Sequence, residues 1–138
     1  MIYIQSGIYF LANLVPVLKD EDKQTPIPTV WRNTFNSIVE ALREEDFNLE
    51  LRVKGARSIS TEDSERIVSN IQEYGDRLSS LLDTTWDTSV CQWMLDYWDV
   101  YIDLFTVEEG ASDLVLAVRV YEDKEKSYMF EVESVHVP

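Results

Sequence analysis

The sequence is short of the side chains that most chemistry needs. Its 138 residues include one cysteine, Cys91, and one histidine, His136. A single thiol excludes an intrachain disulfide and a cysteine-based metal cluster. It suits a reducing compartment, so a cytoplasmic location is expected. No phosphate-binding glycine loop, dinucleotide fingerprint or metal-ligand histidine spacing occurs, so no cofactor and no metal are expected. A Cys91–His136 dyad has no third group in the sequence to orient it. Paired carboxylates do acid–base work in glycosidases, but a chain this acidic forms such pairs by chance. The expectation is a protein that is not an enzyme.

Long apolar runs are missing too. The longest, "IYFLANLVPVL" (Ile8 to Leu18), spans 11 residues and contains Pro16. A membrane-crossing helix needs roughly 20 apolar residues. A leader peptide needs a basic start, and the first lysine is Lys19. The stretch is expected to be a core segment, with no membrane partner. Repeats and low-complexity tracts are absent.

Positive charge is the third scarcity. Net charge is −14. Residues 1–60 hold 8 acids and 7 bases, whereas residues 61–138 hold 18 acids and 5 bases. Between Arg77 and Arg119 stand Asp83, Asp87, Asp96, Asp99, Asp103, Glu108, Glu109 and Asp113 with no Lys or Arg. A field of this sign repels nucleic acid and anionic lipid and draws cationic partners. The alternative is that the acidity serves only solubility.

What is present reads as one globular domain over residues 1–138. Hydrophobic residues make up 45% and charged residues 28%, more apolar than disorder allows. The polar loop "DEDKQTPIP" (Asp20 to Pro28) precedes a helix in which Trp31, Phe35, Ile38, Val39 and Leu42 recur at helical spacing, with Thr29 as its cap. "FNLELRV" (Phe47 to Val53) alternates and predicts a strand. A second helix starts at Ser60 or Thr61, carries Ile67, Ile71 and Tyr74 on one stripe, and ends at Gly75. "WDTSVCQWML" predicts a third, short helix with Trp86, Val90, Trp93 and Met94 on one side.

From Tyr97 the apolar period becomes two. Trp98, Val100, Ile102 and Leu104 fall in one phase; Asp99, Tyr101 and Asp103 fall in the other. After a loop from Thr106 to Asp113, Leu114, Leu116, Val118 and Val120 make the next inner row, against Val115, Ala117, Arg119 and Tyr121. After a turn from Glu122 to Ser127, "YMFEVESVHV" sets Phe130 and Val132 against Glu131 and Glu133. Three strands with short connections predict an antiparallel meander, and helices before strands predict an α+β fold, with N-terminal helices packed on an antiparallel sheet.

The polar phase is the first candidate site. Asp99, Tyr101 and Asp103 neighbour Arg119 and Tyr121, then Glu131 and Glu133. Acids interleaved with tyrosines suit recognition of a basic protein. A plain solvated face with Arg119 bridged by its neighbours, or a face covered by the N-terminal segment, are the alternatives. Glu108 and Glu109, with Asp113 near Gly110, form a second candidate on a loop. Their spacing departs from the calcium-loop pattern. Cys91 reads as a packing residue, and the four tryptophans as core, unless one lies exposed beside the acidic row.

The segment "TTWDTSVCQWMLDYWDVYIDLFTVEEGASDLVLAVRVYE" (Thr84 to Glu122), with "LVPVLKDEDKQTPIPTVWR" (Leu14 to Arg32), resembles an uncharacterised family of small bacterial domains. That resemblance implies no activity and no site residues. By size, acidity and lack of catalytic motifs, the chain is also similar to immunity proteins of contact-dependent growth inhibition systems. That likeness implies a cognate basic toxin domain as partner, held against Asp99, Tyr101, Asp103, Glu108, Glu109, Glu131 and Glu133. Rival expectations are an acidic adaptor or scaffold domain, a DNA mimic that captures DNA-binding proteins, and a homodimer through an exposed sheet edge.

Overall fold

The computed structural model describes residues 14–49 and 53–138. In chain order these form β1 (Thr25–Pro26), α1 (Thr29–Arg43), α2 (Thr61–Tyr74), a 3-10 turn (Asp83–Asp87), β2 (Val90–Trp93), β3 (Trp98–Thr106), β4 (Gly110–Glu122) and β5 (Tyr128–His136). The five strands make one sheet in the order β1-β2-β3-β4-β5, with every pair antiparallel. The fold is α+β, its helices on an antiparallel sheet whose last three strands are a meander.

The inner face is built by the alternation read from the sequence. Trp98, Val100, Ile102 and Leu104 of β3 are buried, as are Leu114, Leu116, Val118 and Val120 of β4 and Phe130, Val132 and Val135 of β5. Burial of each such side chain contributes about 1.5–3 kcal/mol. The stripe of α1 (Trp31, Phe35, Ile38, Val39 and Leu42) closes over this face. Trp31 meets Trp98 and Phe130 edge-on, with ring centroids 5.1 and 6.3 Å apart, and Phe35 meets Phe130 at 5.4 Å. Edge-to-face pairs of this kind add about 0.5–1.5 kcal/mol each beyond area burial.

At the start of α1, Pro28 occupies the cap position and makes no side-chain cap. Thr29 lies one residue inside the helix and does different work from the capping expected of it. Its hydroxyl accepts from Val15 N–H at 2.7 Å while its own N–H donates to Val15 O at 3.0 Å. This ties down the end of the N-terminal apolar segment, where Val17 packs on the core and Leu14 and Leu18 are exposed. Residues 8–13 of that segment lie outside the described residues. Helix α2 starts and stops as expected. Ser60 Oγ accepts from Asp63 N–H, Glu62 and Asp63 face the positive end of the helix dipole, and Gly75 takes φ 90° at the C-terminus.

Two expected elements differ among the described residues. Phe47 and Asn48 lie in a turn and Leu49 has φ 55°, so no strand starts at Phe47; residues 50–52 lie outside the described residues. Beyond them, Ala56 makes a single parallel bridge to Phe130. The helix expected over "WDTSVCQWML" is instead the 3-10 turn followed by β2. Val90, Cys91 and Trp93 are β-branched, small and aromatic, types that fit a pleated surface. Pairing decides the outcome: Trp93 lies opposite Trp98 across a hairpin, with ring centroids 4.4 Å apart. Met94 therefore sits in the hairpin turn and does not close a helix. The following loop is also shorter than expected, because β4 begins at Gly110.

Both sheet edges are partly covered. The two residues of β1, one of them Pro26, pair with β2. On β5, Phe130 exchanges hydrogen bonds with Gly55 O and Arg57 N–H, and Asn70 Nδ2 donates to Val135 O. Such coverings reduce strand-to-strand association. Among the described residues, no helix is long and apolar enough to cross a membrane.

Candidate functional site

The face turned away from the helices carries the polar phase of each strand. Register sets Gln92, Asp99, Arg119 and Glu131 in one row across β2 to β5, with Val90, Tyr101, Ala117 and Ser134 in the next. Asp99, Tyr101, Glu131 and Glu133 thus gather around Arg119. The Arg119 guanidinium Nε lies 3.7 Å from Asp99 Oδ1 and 3.5 Å from Glu133 Oε1, and its carbon sits 4.5 Å from the centre of the Tyr97 ring. A hydrogen bond with Tyr121, then the Glu133 charge, hold this arginine more firmly protonated, against the opposing effect of burial. Glu131 is paired at 2.6 Å with Arg57, which also lies 5.4 Å from the Tyr121 ring.

A bulge between Ala117 and Val118 shifts the register of β5, so that Glu133 is an extra residue between two paired positions. It approaches Glu131 and Arg119 together. Burial, then a hydrogen bond with Glu131, push the Glu133 carboxyl above the ordinary glutamate value, and Arg119 only partly opposes them. Glu133 Oε1 is buried without a hydrogen bond, at ion-pair distance only. Tyr101 is 38% exposed, the most open aromatic of the face. Burial of its hydroxyl and the Asp99 charge raise its ionisation point.

Asp103 lies farther along β3 and receives a 2.6 Å hydrogen bond from Thr88 Oγ1. Glu108 and Glu109 stand apart from the strand face, in the turn between β3 and β4. There Arg77 N–H donates to Glu108 at 2.5 Å and Arg77 Nε at 3.0 Å, which lowers the Glu108 ionisation point, the backbone bond most. Thr106 Oγ1 donates to Asp76 at 2.9 Å and accepts from Glu109 N–H at 3.1 Å. The candidate residues therefore form two groups, one centred on Arg119 and one on the turn. Asp99, Glu108, Glu131 and Glu133 draw on arginines. Asp103, Glu109 and Asp113 make no ion pair among the described residues.

Arg57 and Tyr97 belong to the site and were not legible as such. Arg57 arrives only because the Gly55–Arg57 backbone joins the edge of β5, a tertiary event with no local signal. No tryptophan stands on this face. Trp31 and Trp98 are buried, Trp93 packs on Trp98, and Trp86 lies under Arg32 with the guanidinium 5.2 Å from its ring. Cys91 is buried on the inner face, its thiol pushed up by burial, with two strands between it and the strand of His136. No group of three or more His, Cys, Asp or Glu is placed to hold a metal ion among the described residues.

The geometry defines a small α+β domain that buries one face of its sheet under helices and presents acids, tyrosines and arginines on the other. The family model described as Domain of unknown function (DUF7668) matches residues 39–138, and the chain belongs to that family. The match takes in α2, β2 to β5 and every candidate site residue. Comparison with curated proteins finds no match, and neither does comparison with solved structures.

Proposed function

We propose that the protein binds a basic protein partner through the polar sheet face and the adjoining β3–β4 turn. In its sharpest form it is an immunity protein of a bacterium, acting in the cytoplasm, that occludes the active site or substrate groove of a cognate toxin domain. The observation that carries this reading is the carboxylate surplus. Arg119 and Arg57 serve three carboxylates on the face, Arg77 serves one at the turn, and Asp103, Glu109 and Asp113 are left without a cation among the described residues. A partner bringing Arg or Lys pairs these three and competes for the rest. Tyr101 supplies half-exposed aromatic area at low entropic cost.

The test is recovery of the native complex from the source cell by mild affinity purification and mass spectrometry, followed by association kinetics. A basic partner is expected, with an on-rate that falls as salt rises and drops at least ~10-fold in a double charge reversal, Asp103→Lys with Glu109→Lys. An on-rate indifferent to both changes defeats the proposal. Recovery of a second copy alone favours the homodimer instead.

A further inference from the structure

One end of the outer sheet face is apolar, and the polar rows do not account for it. Met94 N–H donates to Tyr97 O at 2.8 Å, so these two residues stand opposite each other at the end of the β2–β3 hairpin. Trp98 is buried on the inner face, and alternation turns Tyr97 and the facing Met94 outward. Tyr97 meets Tyr121 with ring centroids 5.6 Å apart, and Tyr121 pairs with Met129. The result is a continuous row, Met94–Tyr97–Tyr121–Met129, beside the row that holds Asp99, Arg119 and Glu131. Met94 is 43% exposed, Met129 37%, and Leu95 at the hairpin tip 63%. We infer that this row, with Leu95, is the anchor surface for an aromatic or large apolar side chain projecting from a cationic protein. The inference rests on the reading of the sheet face as the docking surface of a basic partner, and it names the residues that hold that partner after charge has drawn it in.

Three observations support it. The row is built from tyrosine and methionine, types enriched where proteins meet, and methionine adapts to the shape it receives. Both rings are set in place beforehand: the Arg119 guanidinium lies 4.5 Å from the Tyr97 ring and that of Arg57 lies 5.4 Å from the Tyr121 ring. Rings held in this way lose little freedom when a partner arrives. Leu95 keeps left-handed backbone, φ 78°, at a position that suits glycine and returns little burial inside the fold. Contact with another molecule accounts for a leucine there. Charge selects the occupant. Asp96, exposed at the hairpin tip, has no ion pair among the described residues. The β4–β5 turn beside Met129 sets Glu122, Asp123 and Glu125 against Lys124 and Lys126, with Glu122 already paired to Lys19. A second copy brings the same charge of −14, and an anionic lipid surface is repelled by the same field. An apolar side chain flanked by Arg or Lys meets both the row and its acidic rim.

Nuclear magnetic resonance of the full chain, with its methionine methyl groups labelled, tests the inference with three end-blocked tripeptides: tryptophan between two arginines, alanine between two arginines, and tryptophan between two glutamates. Saturable shifts of the Met94 and Met129 methyl groups are expected with the first. The second is expected to bind at least ~10-fold more weakly, and the third not at all. Met129→Ala, at an exposed site where folding is not at stake, weakens the first about fivefold. Leu95→Gly weakens it to a similar extent while unfolding at a higher urea concentration than the parent, a split that a purely structural role does not produce. Leu82→Ala, exposed and away from the sheet face, binds as the parent does. Equal binding of the two arginine peptides with the methyl groups unmoved leaves the basic-partner reading standing and overturns the anchor. Equal binding of the glutamate peptide removes the charge preference, and the stated partner with it. Methyl shifts that follow protein concentration without peptide make a second copy the occupant and overturn the inference, as do unchanged binding by both Met129→Ala and Leu95→Gly or the absence of saturable shifts with every peptide.

Discussion

At the scale of single residues, Arg119 is the keystone of the sheet face. It separates Asp99 from Glu133, at 3.7 and 3.5 Å, and covers the Tyr97 ring. Removing it leaves three acids on neighbouring strands facing each other, since Glu131 lies directly opposite position 119. Arg119 is half exposed, so solvent screens the ion pairs, and the stacked contact matters as much as the charge. Arg119→Ala is expected to lower unfolding free energy by about 1–2 kcal/mol in urea titrations. Glu133 gives the opposite sign. Its folded ionisation point is raised above the ordinary 4.5, by burial first and by Glu131 second. The folded state then holds the proton more tightly than the unfolded state does. That stabilisation is complete below 4.5 and is lost as pH rises through the folded value. Glu133→Gln is therefore expected to be more stable than the parent at pH 7, with the advantage shrinking toward pH 4.5. A gap independent of pH, or a less stable variant at neutral pH, contradicts the account.

At the scale of elements, legibility followed periodicity. Both helices and the three long strands repeat their apolar residues often enough to fix type and phase, and that phase puts Asp99, Arg119 and Glu131 on one face, while the pairing that sets them in one row is a matter of register. Short segments did not carry enough repeats. In "WDTSVCQWML" the apolar residues fit a helix stripe and a strand nearly as well, and the Trp93–Trp98 pairing that selects the strand lies across a turn. At "FNLELRV" the alternation was sound as a pattern, but Leu49 sits in left-handed backbone, which periodicity cannot report. Glu133 was placed in phase with Glu131, whereas the bulge at Ala117/Val118 offsets it into contact with both Glu131 and Arg119. The β2–β3 hairpin holds a further unread feature. Leu95 has φ 78° and is 63% exposed, so a bulky side chain occupies a position that suits glycine and gains little burial there. Relief of about 1–3 kcal/mol of backbone strain exceeds the ~0.4–1 kcal/mol by which glycine loosens the unfolded chain. Leu95→Gly is thus expected to raise the urea midpoint, by about 1 kcal/mol in free energy. A drop instead means that the Leu95 side chain contributes packing that its exposure conceals.

At the scale of the whole molecule, charge sets the response to salt, and two effects compete. A net charge of −14 on 138 residues makes the folded chain repel itself. The arginine pairs at 119, 57 and 77 pull the other way. Distance decides between them. Those pairs lie between 2.6 and 3.7 Å, well inside the screening length of about 8 Å at physiological ionic strength, so salt weakens them little. The repulsion is spread over carboxylates scattered across the molecule, and lengthening the screening distance to about 30 Å near 0.01 M salt leaves most of it in force. Raising salt from about 0.01 to 0.15 M is therefore expected to stabilise the fold, read as a higher urea midpoint with an unchanged slope. The same change slows capture of a basic partner, because the surplus that strains the folded chain also draws the partner in. A midpoint that falls with salt would mean that the local pairs outweigh the dispersed charge, and that the carboxylates are too well matched inside the molecule to steer anything toward it.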